Sequence, residues 1–200
     1  FCDHLLLIVD DKIVATYRLL AGPKRPPQGF YTETEFKLKD MPVDFNKTVE
    51  LGRACIHPDY RQKTTLMTLL WGLHCYMDYS DARYMLGCGT LLCRTPNEAE
   101  ATFKLLEDQG RVILTPGVEP LSKNQFQGDA SQGTPDVPQL INLYLEFGAH
   151  IYSRPAHDPI FKCYDLLLMF DMQALSPWGV ELLDRFDRRL LSRGKTDTAE

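Results

Sequence analysis

The sequence has no Cys-x-x-Cys pair, no internal repeat, and no apolar run near the ~20 residues that a bilayer-spanning helix needs. The first absence argues against a zinc knuckle: Cys88 and Cys93, the nearest pair, stand five apart. Most of the six cysteines lie inside apolar stretches, where a free thiol acts as a small hydrophobe, so no metal and no disulfide framework are expected. Reduced thiols and the lack of a signal-peptide pattern point to the cytoplasm. An excess of positive charge is missing too. With 22 Lys and Arg against 27 Asp and Glu, net -5, the chain is not expected to bind nucleic acid. What remains is a 200-residue chain, 44% hydrophobic, suited to one globular domain with at most a tail. It starts at Phe1 and runs almost at once into a strand pattern, which leads to the expectation of a further N-terminal segment ahead of it.

The pattern of apolar residues predicts a mixed α/β fold. Residues 4–9 and 13–20 read as a hairpin around Asp10-Asp11-Lys12. A Pro-rich loop leads to "GFYTETEFKL", read as a short strand with Glu33 and Glu35 on one face. A strand over 48–57 is followed by a helix over 64–79 and a further strand at "ARYMLGC". Thr95 to Glu98 form a capping box with Pro96 at the first helical position, and Gly110 ends that helix. Residues 111–136 read as a long surface loop, and Asp136 as the cap of a helix through Phe147. "AHIYSR" and "CYDLLLMF" are strands joined by a "PAHDP" turn, and Ser176-Pro177 opens a last helix. Residues 1–175 form the domain, and 176–200 a C-terminal helix and polar tail.

The stretch "TVELGRACIHPDYRQKTT" carries the chemistry. Glu50 and Arg53 sit in an otherwise apolar strand, and Arg18 does the same in "ATYRLL". A buried carboxylate needs a partner. Gly52 between the two charges marks a candidate bulge, which would turn Arg53 toward Glu50 and leave backbone N–H groups free for an oxyanion. A structural ion pair at a strand end is the plain alternative. Arg61 and Lys63 precede a helix start whose free N–H groups suit a phosphate, or simply form a solvated turn.

Taken together, "ELGRACIHPDYR", "ATYRLL", "GFYTETEF", "YMLGCGTL" and "FGAHIYSRPAHDPIFKCYDLLLMFDM" resemble the ornithine N-acyltransferases, a hemolysin-like branch of the GNAT superfamily. The "RLL … ELGR" run is similar as well to acyl-homoserine-lactone synthases, and the whole to N-acyl amino acid synthases. The resemblance implies a GNAT-like mixed sheet with antiparallel N-terminal strands, one β-α-β crossover and splayed central strands, flanked by helices. It implies transfer of a (3-hydroxy)acyl group from acyl carrier protein to the α-amine of an amino acid, ornithine first. Another amine acceptor, or a non-catalytic GNAT-like binding domain, remain as alternatives. On this reading Glu50 is the base and Arg53 its catalytic companion. Arg18, Glu33, Glu35 and Asp3 meet the amino acid. Ala54, Cys55 and Ile56 steady the oxyanion, and Arg61, Lys63, Thr64 and Thr65 hold the phosphopantetheine.

No bound cofactor is expected. The donor is acyl-phosphopantetheine on the carrier protein, ranked ahead of acyl-CoA. The superfamily's Gly-rich turn, which lets N–H groups close on a pyrophosphate, is replaced here by "RQKTTL". No covalent intermediate is needed. Five basic residues in "DRFDRRLLSRGK" offer a docking face for an acidic carrier protein or for peripheral contact at the inner membrane face, or merely a favourable helix end.

Overall fold

A computed structural model describes residues 1–194. The first hairpin pairs β1 (Asp3–Val9) with β2 (Lys12–Ala21) through a two-residue turn, Asp10 and Asp11, both at positive φ as such a turn requires. Next in sequence come the two-residue β3 (Phe36–Lys37), β4 (Thr48–Ile56), α1 (Lys63–Tyr79) and β5 (Tyr84–Leu91). Then follow α2 (Pro96–Asp108), the two-residue β6 (Glu119–Pro120), α3 (Gln139–Phe147), β7 (His150–Ile151), β8 (Ala156–Asp158), β9 (Cys163–Asp171) and α4 (Pro177–Gly194).

The main sheet runs β1-β2-β4-β5-β9-β7, with β8 also on β9, while β3 and β6 form a small separate ladder. Among the described strands β4 and β5 pair in parallel, joined by α1 as the crossover, and the other strand pairs are antiparallel. The expected GNAT-like architecture is borne out.

Alternate residues of β9 divide between two cores on opposite faces. Leu166, Leu168 and Phe170 join a core fed by all four helices, through residues such as Leu69, Phe103, Ile141 and Leu182. Leu167 and Met169 join a second core with Phe30, Phe36 and Leu38 from the segment before β4. Because both faces are covered, β9 reads as a continuous apolar run rather than an alternation.

Three local expectations change. "GFYTETEF" is mostly a single 3-10 turn over Tyr31–Thr34, not a strand, because the Glu33 carboxylate accepts the Phe30 N–H at 2.6 Å and closes the turn. Glu33 and Glu35 therefore do not share a strand face. α3 begins at Gln139 with Pro138 at its cap, not at Asp136, since proline at 138 holds the preceding residue extended. "PAHDP" contributes β8 to a hairpin with β9 rather than a bare turn.

Candidate active site

The parallel ladder between β4 and β5 lasts three residues, Thr48–Glu50 against Tyr84–Leu86, and then the strands part. A bulge in β4 accompanies the parting. Thr16 pairs with Cys55 but Arg18 with Gly52, so Tyr17 alone faces both Arg53 and Ala54. Arg53 takes the left-handed conformation, φ 52°. Beyond Glu50 the edge of β4 facing β5 has no ladder partner.

Two cavities open at this gap, on opposite faces of the sheet, and both are lined by Leu51, Gly52, Arg53, Cys88 and Thr90. The first, about 350 Å³, is the more polar of the two: Arg18, Tyr31, Asp158, Phe161, Cys163 and Asp165 complete it. The second, about 540 Å³, is mainly apolar and lies against α3, with Leu140, Ile141, Leu168 and Phe170 in its wall. Tyr17 and Tyr144 line it too, and their buried hydroxyls hydrogen-bond each other.

Glu50 is buried at 1% exposure and lines neither cavity. Its Oε1 accepts the Thr32 N–H (2.7 Å) and hydroxyl (2.6 Å), and its Oε2 accepts the Tyr31 N–H (3.0 Å). Arg18 Nη2 stands 3.5 Å from the same Oε2. The expected buried partner exists, but it is Arg18 and the backbone of the Tyr31–Thr34 turn. The bulge does not turn Arg53 toward Glu50. Its guanidinium lies 5.8 Å from the Tyr31 ring and 5.6 Å from the Phe161 ring. A carboxylate so engaged, and lining neither of these cavities, is placed to anchor the turn rather than to take a proton from substrate.

Other expected site residues scatter. Asp3 lies with Lys24 (2.7 Å) and Tyr76 (2.6 Å) at the β1 edge of the sheet, and Glu33 is held by Arg25 and the Phe30 N–H. Neither lines a cavity. Ala54 lines the apolar cavity, whereas Cys55 is exposed and Ile56 packs on the helical core. Arg61, Lys63 and Thr64 are exposed at the start of α1 and Thr65 is buried. Gln62, the N-cap, gives α1 no side-chain hydrogen bond, so its first N–H groups have no cap. Arg61 Nε donates to the Ile56 carbonyl at 3.2 Å.

The polar cavity brings together Thr90, Asp158, Cys163 and Asp165, which the sequence reading passed over, while the expected Glu35 is buried near them and outside the lining. Asp165 pairs across strands with Thr90, whose hydroxyl donates to its Oδ1 at 2.6 Å. Asp158 accepts the N–H groups of Ile160 (2.7 Å) and Phe161 (3.0 Å). Glu35 is 3% exposed, and neither of its oxygens has a hydrogen-bond partner among the described residues. Burial, then the nearby charges of Asp165 and Asp158, push the Glu35 carboxyl up to about 7. Burial raises Asp165 as well. Asp165 interrupts an apolar strand just as Glu50 does, so the same signal was present in "CYDLLLMF".

One ligand-type atom each from Asp158, Cys163 and Asp165 falls within 4.8 Å of the others. Burial and Asp165 push the Cys163 thiol up to about 12, while Asp165 accepts the Thr90 hydroxyl and Asp158 the Ile160 N–H. Burial and Glu35 likewise raise the Cys88 thiol well above its ordinary value, which makes it a poor nucleophile.

A mixed sheet that opens beside a bulge, with a cavity on each face of the gap, is a GNAT-like fold. Residues 1–71 match the family described as "Acetyltransferase (GNAT) domain". The chain is similar to the L-ornithine N(alpha)-acyltransferase of Rhodobacter capsulatus, 27% identical over 96% of this chain and 78% of that one. It is also similar to that of Rhizobium meliloti, 27% identical over 88% of this chain and 65% of that one. Among solved structures, a CoA-dependent acyl-homoserine lactone synthase superposes with TM-score 0.50 at 13% identity, over 91% of this chain and 66% of that chain, a likeness of fold. The resemblance drawn from the motifs is thus borne out, and N-acyltransferase chemistry is supported. Among the described residues no helix is long and apolar enough to cross a membrane.

Proposed function

We propose that the chain moves a (3-hydroxy)acyl group from the phosphopantetheine of acyl carrier protein to the α-amine of ornithine. The observation that carries this reading is the pair of cavities meeting at the β4–β5 gap, one polar and one apolar. The acyl chain lies in the apolar cavity, where each buried methylene contributes about 0.8 kcal/mol. Its thioester carbonyl sits in the gap, and unpaired N–H groups of β4 beyond Glu50, near Ala54, steady the oxyanion. Arg18 and Arg53 hold the amino acid's carboxylate, since a guanidinium fork matches both oxygens. The uncapped start of α1, with Arg61, Lys63 and Thr64, takes the single phosphodiester of the carrier.

Glu50 serves this site indirectly. It fixes Arg18 and the turn that presents Tyr31 to the cavity. Asp3 and Glu33 lie away from it. Ornithine is chosen as acceptor because the relatives named above act on it, and an acidic wall of Asp158 and Asp165 opposite two arginines suits a zwitterion with a second amine.

The test incubates the protein with acylated carrier proteins, acyl-CoAs and a panel of amines, and identifies products by mass spectrometry. N-acylornithine formed from the carrier protein is the expected product. Product only from acyl-CoA with an amine that is not an amino acid would overturn both donor and acceptor.

A further inference from the structure

We infer that the proton of the attacking amine is taken by the Thr90 hydroxyl, which passes its own proton to Asp165, with Glu35 beside Asp165. This rests on the proposed acyl transfer and names the base that Glu50 is not placed to be.

The geometry carries the inference. Thr90 is exposed at the gap and lines both cavities, so its oxygen meets whatever joins an acyl group in one to an amine in the other. Its hydrogen already points at Asp165 Oδ1, 2.6 Å away, leaving its lone pairs to accept. Asp165 itself is 4% exposed and reaches the amine best through that hydroxyl.

Around Asp165 stand Asp158 and Glu35, the Cys163 thiol 3.8 Å from its Oδ2, and across the cavity Arg18, Arg53, Tyr31 and Cys88. His157 from β8 packs at a tilt against the Tyr164 ring instead. Burial and then the charge of Asp158 raise the affinity of Asp165 for a proton, and its hydrogen bond from Thr90 limits the rise. Burial holds the neighbouring Glu35 up at about 7 and raises Asp165 as well, so Asp165 is a stronger base than an exposed carboxylate.

The protons balance. An amino acid's ammonium loses one proton to Thr90, which gives its own to Asp165, and that proton leaves to solvent. The nitrogen lone pair then forms the N–C bond to the thioester carbon. As the tetrahedral intermediate collapses the C–S bond breaks, and the second amine proton returns through Thr90 to the departing sulfur as a thiol.

Thr90→Val and Asp165→Asn are measured beside wild type and Thr90→Ser, with acyl carrier protein and ornithine, across a pH range. At neutral pH the Val and Asn variants should both lose about 10²–10⁴-fold in kcat, with KM for ornithine little changed in the Val variant. Their deficit should narrow as pH rises and the amine ionises unaided, and Thr90→Ser should retain the wild-type profile. A deficit that stays constant with pH would overturn the relay, as would a loss for Asp165→Asn confined to amino acids with a second amine. Should Asp165→Asn fail to fold, Thr90→Val decides alone, since its side chain is exposed and its shape is kept. A wild type inactive toward every amino acid would instead sink the acyl-transfer reading itself.

Discussion

Arg18 crosses β4 over Gly52: a Cβ built on Gly52 would stand 2.8 Å from Arg18 Nη2. The glycine is required here for space, not for its backbone angles, since it pairs in register with Arg18 across the β2–β4 ladder. Only this passage lets the guanidinium reach Glu50 on one side and the polar cavity on the other.

Gly52→Ala should therefore fold normally, because the atom it displaces is the end of a flexible side chain, but should misplace the carboxylate-binding arginine. A shift of about 1 Å in a positioning group costs up to ~10²-fold. Steady-state kinetics should show that loss in kcat/KM for the amino acid with the melting temperature nearly unchanged. Wild-type kinetics would remove Arg18 from the substrate site.

Glu50→Gln separates an anchor from a base. Glutamine keeps one acceptor but turns an NH2 toward the donors that now meet a carboxylate oxygen, either those of Thr32 or those of Tyr31 and Arg18. A buried donor left unmatched costs about 1–3 kcal/mol. Thermal unfolding should register that cost, with lower activity following from a loosened Tyr31 turn. A variant as stable as wild type yet inactive would restore Glu50 as the proton acceptor.

How much of this was legible in the sequence depends on whether a signal is local. The capping box at Thr95 and Glu98, the helix after the "HPDYR" turn, and the first hairpin all rest on neighbours in the chain, and all form. A bulge next to Gly52 was legible too, as a glycine flanked by charges in a strand, though it falls at Arg53 and Ala54. Which charge meets which was not. Arg18 comes to Glu50 through a cross-strand register, and the pairing of Thr90 with Asp165 joins positions 75 apart in the chain. "TETEF" misled because alternation of charge imitates a strand, whereas Glu33 caps its own turn and Glu35 goes inward. At the C-terminus, Arg185 pairs with Glu181 at 2.7 Å and Arg188 donates to the Asp184 carbonyl at 3.2 Å. The side chains beyond, Arg189 and Arg193 with Lys195, lie outside the described residues, so the docking face stays an expectation.

The apolar cavity makes a prediction about chain length. Leu140 on α3 is half-buried and lines it, so Leu140→Trp should fill part of the space without rebuilding the core. The preferred acyl chain should become shorter. Each methylene no longer buried weakens binding roughly fourfold, at about 0.8 kcal/mol. A series of acylated carrier proteins of graded length measures the shift. An unchanged optimum would place the acyl chain elsewhere.

The last prediction concerns stability against pH. Glu35 is held in the folded protein at about 7, above its ordinary value of 4.5, by burial and then by Asp165 and Asp158. Between those two values the folded state binds more protons than the unfolded chain, so the difference in bound protons, unfolded minus folded, is negative. Stability therefore falls as pH rises from about 4.5 to about 7, and this contribution then levels off. It is the reverse of the slope from a salt-bridged carboxylate such as Asp171, which Arg83 holds below its usual range. Glu35→Gln removes the ionisable group while keeping its volume. Denaturant unfolding at pH 5 and pH 8 should show the variant gaining on wild type at the higher pH and little or nothing at the lower. Equal differences at both would mean that Glu35 is not held protonated by its neighbours, and that the carboxyl cluster titrates as separate groups.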